Sequence, residues 1–271
     1  MLRSMYSGIS GMKNFQTKLD VIGNNIANVN TYGFKKGRVI FKDLISQNVS
    51  GASAPTGNRG GVNPKQVGLG SQMASIDTMH ESGSLQTTGR VLDLAIAGDG
   101  YFIVGDAAGQ DQSYTRAGNF YLDNNGNLVN GDGLFVLGQS TTPAAAFPSK
   151  INVPSTATEM SISKNGTVTY INAGALVTAG QIMNAKFANT GGLQKTGNNL
   201  FKITTNSGAP VRGFANTPGF GSIESSQLEM SNVDLSEEFT EMIVAQRGFQ
   251  ANTRIITTSD EILQELVNLK R

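Results

Sequence analysis

The residues able to do chemistry in this chain are few, and their spacing does not suit it. Asp123-Asn124-Asn125-Gly126-Asn127 is rich in oxygen ligands, as a calcium loop is. Its glycine stands at loop position four instead of six, however, and position twelve is Leu134 instead of glutamate. A hairpin turn is the better reading. Gly98-Asp99-Gly100 lacks the third glycine and the following helix of a dinucleotide-binding turn. No Gly-x-x-x-x-Gly-Lys-Ser/Thr phosphate loop is present. Gly8-Ile9-Ser10-Gly11 is not a nucleophile elbow, and the one histidine, His80, would have to serve it. A lone histidine cannot form a two-histidine zinc site. The absence of cysteine removes thiolate nucleophiles, disulfides and cysteine-ligated metals. Acid pairs for glycoside chemistry would have to be assembled by the fold. The acids cluster near the C-terminus, where a charged helix face is the ordinary reading. The sequence points away from an enzyme and implies no catalytic residue, no cofactor and no metal.

The elements that could position any site fall into three regions. Apolar residues at Leu2, Met5, Ile9, Met12, Phe15, Leu19, Ile22, Ile26 and Val29 step by three and four, a helical stripe from residue 2 to about 29. Gly8, Gly11 and Gly23 each cost a helix about 1 kcal/mol relative to alanine. Each marks either a weak point or a close helix–helix approach. The last region starts near residue 232. Asp234 followed by Glu237 fits a helix start. Glu237, Glu238 and Glu241 suit the positive end of the helix dipole, and Lys270 and Arg271 the negative end. Leu235, Met242, Phe249, Ile256 and Leu263 recur every seven residues. Ile255, Ile262 and Leu269 form a second sevenfold row, and Phe239 and Leu266 widen the stripe. A helix of about 35 residues, roughly 50 Å long, is expected, and its repeat argues for coiled-coil packing.

Between the helices, residues 31–75 read as an extended linker; their 46–75 part is rich in Gly, Ser, Asn, Gln and Pro. From 76 to 225 the pattern is period two with turn signals. Leu92, Leu94 and Ile96 alternate with polar or small residues, Tyr101–Val104 follows a glycine turn, and Asn125-Gly126 and Asn165-Gly166 mark hairpins. The fold class is therefore α+β. Residues 1–30 and 232–271 form a helical domain whose long helices pair as a coiled coil, 31–75 is a linker, and 76–225 is an all-β domain.

The net charge of +1 gives no general attraction to nucleic acid. The ends are polarised, however. Residues 1–44 are basic, with Arg3, Lys13, Lys18, Lys35, Lys36, Arg38 and Lys42, and residues 224–271 are acidic. The two ends are expected to meet, within one molecule or between neighbours, with the charge setting register more than stability. No apolar run is long enough to span a bilayer, and the N-terminus lacks the apolar core of a secretory signal.

The ends carry the most specific signal. Leu19-Asp20-Val21-Ile22-Gly23-Asn24-Asn25-Ile26-Ala27-Asn28 with Thr31-Tyr32-Gly33-Phe34-Lys35 resembles the N-terminal signature of flagellar rod and hook proteins. Ser231–Leu235, Met242–Arg247 and Ile262–Leu269 resemble their C-terminal signature. Leu92–Ile96 through Gly100-Tyr101-Phe102, with Tyr114–Phe120, resembles their shared β motif. The resemblance implies a structural subunit of a helical tube. Its terminal helices would form the inner layer around an export channel, and its β domain the outer layer. It implies self-association through Leu2, Met5, Ile9, Met12, Leu19, Ile22, Ile26, Leu235, Phe239, Met242, Phe249, Ile256, Leu263 and Leu266. Gly33, Phe34 and Phe41 would anchor the linker. Implied partners are rod, hook-cap and hook–filament junction proteins and the flagellar type III export apparatus, with no nucleic acid and no membrane insertion. The implied location is the hook or basal body, reached by export without a cleaved signal peptide.

The closing Leu266-Val267-Asn268-Leu269 and Tyr32 resemble hook proteins, and a short hook protein with one β domain is the reading these residues favour. The length and the polar stretch around 47–66 resemble distal rod proteins, the alternative. A β-rich adhesive module with helical oligomerisation ends would explain the stripes but not the combined end signatures. A hydrolase would need an acid of the β domain to carry a rate.

Overall fold

The computed structural model describes residues 2–55, 57, 59–106, 109–140 and 148–269, with the side chain of Leu2 left undescribed. Lys270 and Arg271, expected to complement the last helical turn, lie outside the described residues. The chain forms two compact units. One comprises Met1–Ala27, Gly37–Thr78 and Asp234–Arg271, and the other Asn28–Lys36 and Met79–Val233.

The first unit is built on two helices, α1 (Leu2–Ala27) and α2 (Leu235–Asn268). Both follow the apolar stripes of the sequence. α1 stops at Ala27, two residues before the stripe does. Asp234 caps α2, its carboxylate accepting the backbone N–H of Ser236 at 2.8 Å and of Glu237 at 3.4 Å. That satisfies two of the donors a helix start leaves unpaired.

Residues 37–78 correct the linker reading. β1 (Gly37–Asp43) pairs antiparallel with β4 (Ser71–Thr78), and β2 (Ser46–Ser50) with β3 (Lys65–Gly68). A Leu44 N–H to Gly70 C=O bond of 2.9 Å joins the two ladders into one ribbon. The register slips by one residue between Ile40 and Phe41. Polar composition hid these strands because a two-stranded ladder is held by backbone bonds that any side chain permits. The β1–β4 end packs on α1. The Asn14 amide donates to Ser71 Oγ at 2.8 Å, and the Phe15 and Phe41 rings meet edge to face at 6.2 Å. β2 and β3 are exposed along their whole length.

The second unit is a β domain. β5 (Leu85–Thr87) pairs with Gln227–Glu229, and β6 (Leu94–Ala97) with Ser222–Ser225. β7 (Tyr101–Gly105) lies inside the main sheet between β8 (Gln112–Thr115) and Phe135–Ser140. It is buried on both faces. Phe102 and Val104 enter a core with Leu94, Phe120, Val136 and Ile182, while Tyr101 and Ile103 enter a second with Tyr114, Leu137, Phe187 and Phe201. This is the period-two alternation of a strand covered on each side. Both Asn-Gly sites make the expected turns. Gly126 (φ +79°) donates to Asp123 C=O at 2.7 Å, and Gly166 (φ +81°) to Ser163 C=O at 2.8 Å. The unit takes in residues 28–36 and runs to 233, beyond the 76–225 span read from periodicity.

Candidate assembly interface

The helix pair is the first functional feature, and glycine makes it possible. A Cβ on Gly8 would sit 3.4 Å from Ile256 Cγ1, one on Gly11 2.9 Å from Asn252 Oδ1, and one on Gly248 2.6 Å from the Phe15 ring. Gly11 and Gly248 are close-approach sites between α1 and α2, whereas a Cβ at Gly8 would make only an ordinary contact. Gly23 has no such neighbour within 4 Å and is simply a weak point in α1. Two substitutions should therefore act in opposite directions. Gly248→Val forces the Phe15 ring aside and should destabilise the helix pair by about 1–3 kcal/mol. Gly23→Ala should stabilise it by up to about 1 kcal/mol. Thermal unfolding of the full chain followed by far-ultraviolet circular dichroism would register both.

Polar groups set the register of this pair. Asn25, buried in α1, exchanges two 2.9 Å bonds with the backbone of Gly37 at the start of β1, and its amide lies 3.2 Å from both carboxylate oxygens of Glu238 in α2. Glu238 was expected to act on the helix dipole from the surface; it is buried instead. Lys18 and Glu241 pair across the helices. The basic N-terminal and acidic C-terminal stretches thus meet within one chain.

The predicted packing residues separate into two groups. Ile22 is buried, and Met5, Met12, Leu19, Ile26, Met242, Phe249, Ile256 and Leu263 are half-buried in the helical unit. Ile9, Leu235, Phe239 and Leu266 are exposed. The second sevenfold row is also bare: Ile255 is 43%, Ile262 49% and Leu269 83% exposed. At 100° per residue, Ile255, Ile262, Leu266 and Leu269 share one flank of α2, and Leu235, Phe239 and Ile243 step by four along the other. Among the described residues, one row of α2 is therefore covered and apolar side chains on two flanks are exposed.

The three predicted anchor residues divide between the units. Phe41 packs on Phe15 in the helical unit. Gly33 and Phe34 are buried in the β unit, where Gly33 adopts φ +68° and the Lys195 ammonium lies 4.9 Å from the Phe34 ring centre.

Sequence reasoning missed what lies beside them. Lys35, one of the basic residues of the N-terminal stretch, has a fully buried side chain. Its ammonium donates to Glu229 Oε1 at 2.6 Å and to the Glu81 C=O at 2.7 Å. Arg116 donates to Glu229 Oε2 at 3.1 Å, to Ile96 C=O at 3.2 Å and to Gly98 C=O at 2.7 Å. The backbone N–H of Gly83 donates to Glu229 Oε1 at 3.0 Å, and that of Gly33 to Glu229 C=O at 2.8 Å. Burial pushes the Lys35 ammonium below its ordinary range, while Glu229 pulls it back up. The only sequence signal was the opposite charge of two distant positions, which many pairs share.

His80 borders this cluster. Its Nδ1 is 2.7 Å from the Tyr101 hydroxyl, and its ring lies 5.4 Å from that of Phe201. Burial, and then the charges of Lys35, Lys195 and Arg116, lower its pKa to about 4. The same burial raises the Tyr101 hydroxyl to about 12. Between pH 6.5 and 4 the unfolded chain takes up a proton at His80 that the folded chain refuses, so stability falls as pH falls through that window. The loss by pH 4 should be on the order of 2 kcal/mol, less than the full shift implies because part of the ring meets solvent. Melting temperatures at pH 7 and pH 4.5 should differ more for the native chain than for His80→Phe.

Comparison with known proteins places these features. Residues 5–35 match the family described as flagella basal body rod protein, residues 95–170 the flagellar hook protein FlgE/F/G D1 domain, and residues 224–269 the flagellar basal body rod FlgEFG protein C-terminal family. The chain is 58% identical over 275 residues to the flagellar basal-body rod protein FlgG of Bacillus subtilis, covering all of both chains. It is 39% identical to FlgG of Borreliella burgdorferi over 274 residues, again covering both chains entirely. The flagellar hook protein FlgE of that organism is 33% identical, in an alignment that needs 445 positions to span both chains. The family matches fall on the stripe of α1, on the β unit and on α2, and full-length identity joins all three. The chain therefore belongs to the FlgE/F/G family of flagellar hook and basal-body rod structural proteins.

Proposed function

We propose that the chain is a distal rod subunit, polymerising into the straight shaft of the flagellar basal body. The observation that carries this reading is length. The chain aligns end to end with rod proteins of nearly its own size, whereas alignment with the full-length hook protein of Borreliella burgdorferi leaves a large part of that protein unmatched. The hook reading rested on Tyr32 and the closing Leu266-Val267-Asn268-Leu269, a handful of positions. Identity of 58% over the whole chain outweighs them.

The helical unit would form the inner layer. The two open flanks of α2 take helices of neighbouring copies, extending the sevenfold rows into coiled-coil contacts. Because a flank of one subunit meets a different surface of the next, the contact does not close on itself and generates a tube. The β unit forms the outer layer, and the bore provides the export channel. Neighbours along the axis are other rod proteins and the hook. Complementation tests the assignment. In Bacillus subtilis lacking FlgG the chain should restore swimming, and immunogold on detached basal bodies should label the straight shaft. Restoration only of a strain lacking the hook protein, with label on the curved segment, would reinstate the hook reading.

A further inference from the structure

The chain passes between its units four times, after residues 27, 36, 78 and 233, so residues 28–36 enter the β unit and leave it again, and Met79 begins the longer second stay. Glu229 grips the 28–36 excursion, and its carboxylate also accepts the N–H of Gly83, near the second entry. Its backbone carbonyl holds Gly33 at 2.8 Å, its carboxylate holds Lys35 at 2.6 Å, and the returning segment begins at the next residue. We propose that Lys35, Arg116 and Glu229 form a clamp that holds the 28–36 excursion, the entering segment at 79–83 and the returning segment from residue 230 to the β unit as one body, so that twist reaches the sheet through all three at once. The inference rests on the reading of the chain as a subunit of a rotating shaft.

The chemistry of the cluster fits a clamp better than it fits ordinary core filling. A buried ion pair contributes little net stability, and apolar residues of equal volume often serve as well or better. Apolar side chains could not do what these three do, however. Lys35 supplies a donor to the carbonyl of Glu81, and Arg116 supplies donors to those of Ile96 and Gly98. Glu229 supplies an acceptor to the N–H of Gly83. Five separate stretches of chain are thereby fixed in direction as well as in distance. A further tie follows immediately outside. The Lys36 N–H donates to Asn232 Oδ1 at 2.8 Å, joining the end of the 28–36 excursion to the returning segment, and the Asn232 amide donates to Met79 C=O at 2.9 Å, at the second entry. Lys195 adds a 2.8 Å bond to the carbonyl of Lys35. A mobile linker would need none of these.

Residue-resolved hydrogen exchange on the full-length monomer is the test, comparing the native chain with Glu229→Gln and with Lys202→Met, which breaks the surface pair with Asp111. Glu229→Gln should speed exchange at the amides of Gly33 and Gly83 by about tenfold or more, leaving Ile103 and Val104 in β7 unchanged. Lys202→Met should change none of them. If Glu229→Gln does not fold, Lys35→Met, which keeps the Arg116–Glu229 pair, carries the same comparison. In cells, tubes should still assemble, and swimming should fail selectively as the viscosity of the medium is raised. Unchanged exchange at Gly33 and Gly83, equal acceleration throughout the sheet, or native swimming at every viscosity would each overturn the clamp. Failure of the native chain to complement either a rod or a hook mutant would instead overturn the shaft reading, and the exchange result would stand apart from it.

Discussion

Ile262→Asp is expected to abolish tube formation while leaving the folded monomer almost untouched. Ile262 lies on the open flank of α2, about half exposed, with Leu266 and Leu269 beside it. An aspartate there meets water in the monomer, and exposed substitutions of this kind are usually worth within about 0.5 kcal/mol. In the tube the same position would be covered by a neighbour. The variant then loses about 1.5–3 kcal/mol of isoleucine burial and adds the cost of desolvating an unpaired carboxylate. About 3 kcal/mol is more than a hundredfold in an association constant. Every subunit addition suffers it, so the critical concentration for growth should rise by at least that factor. Thermal unfolding would report the monomer, and sedimentation with electron microscopy the polymer. Phe249→Asp provides the contrast. Phe249 belongs to the row covered within the chain, so the helical unit itself should lose helicity while the β unit still melts cooperatively. Native polymerisation by Ile262→Asp would remove this flank from the interface.

Gly33→Ala is expected to produce the largest loss of stability of any single methyl group at the predicted anchor. Gly33 sits at φ +68°, where an L-residue is penalised by about 1–2 kcal/mol. Its added Cβ would lie 2.5 Å from the Ala117 nitrogen and 2.6 Å from the Arg116 carbonyl carbon. These are backbone atoms of the segment that carries Arg116 to Glu229, so relief would pull apart the ion cluster. Adding about 1–3 kcal/mol for overpacking gives a total near 3–4 kcal/mol. The β unit should melt roughly 6–16 °C lower. Gly174→Ala separates the two causes. It shares the backbone geometry, at φ +82°, but has nothing within 4 Å of its new Cβ, so only the dihedral cost should be seen. Equal losses at both positions would mean that the contact with residues 116–117 is unimportant.

Much of the architecture could be read in one dimension because its causes are local. The stripes of α1 and α2 are periodicities of 3.6 and 7, the Asp234 cap is a short-range hydrogen bond, and the two Asn-Gly turns need only the dihedral freedom of adjacent residues. The ribbon at 37–78 was not legible. Its stability comes from backbone pairing between positions such as Gln47 and Val67, and nothing in either strand's own composition announces the other. The few residues at the chain ends that favour a hook protein also carry less information than similarity along the whole length, which supports the proposed rod reading.

By itself the sequence determined the main element types, the opposite charge of the two ends and the family. These follow from residue type and local spacing. Only the tertiary structure decided which sevenfold row of α2 is covered and which is bare, because both rows are equally apolar and burial depends on where α1 lies. Only it distinguished Gly11, which lets the helices approach, from Gly23, which does not. And only it turned Lys35 from one basic residue among seven into the buried partner of Glu229, 194 positions away. A charge announces its sign in the sequence, but its solvation and its partner are properties of the folded chain.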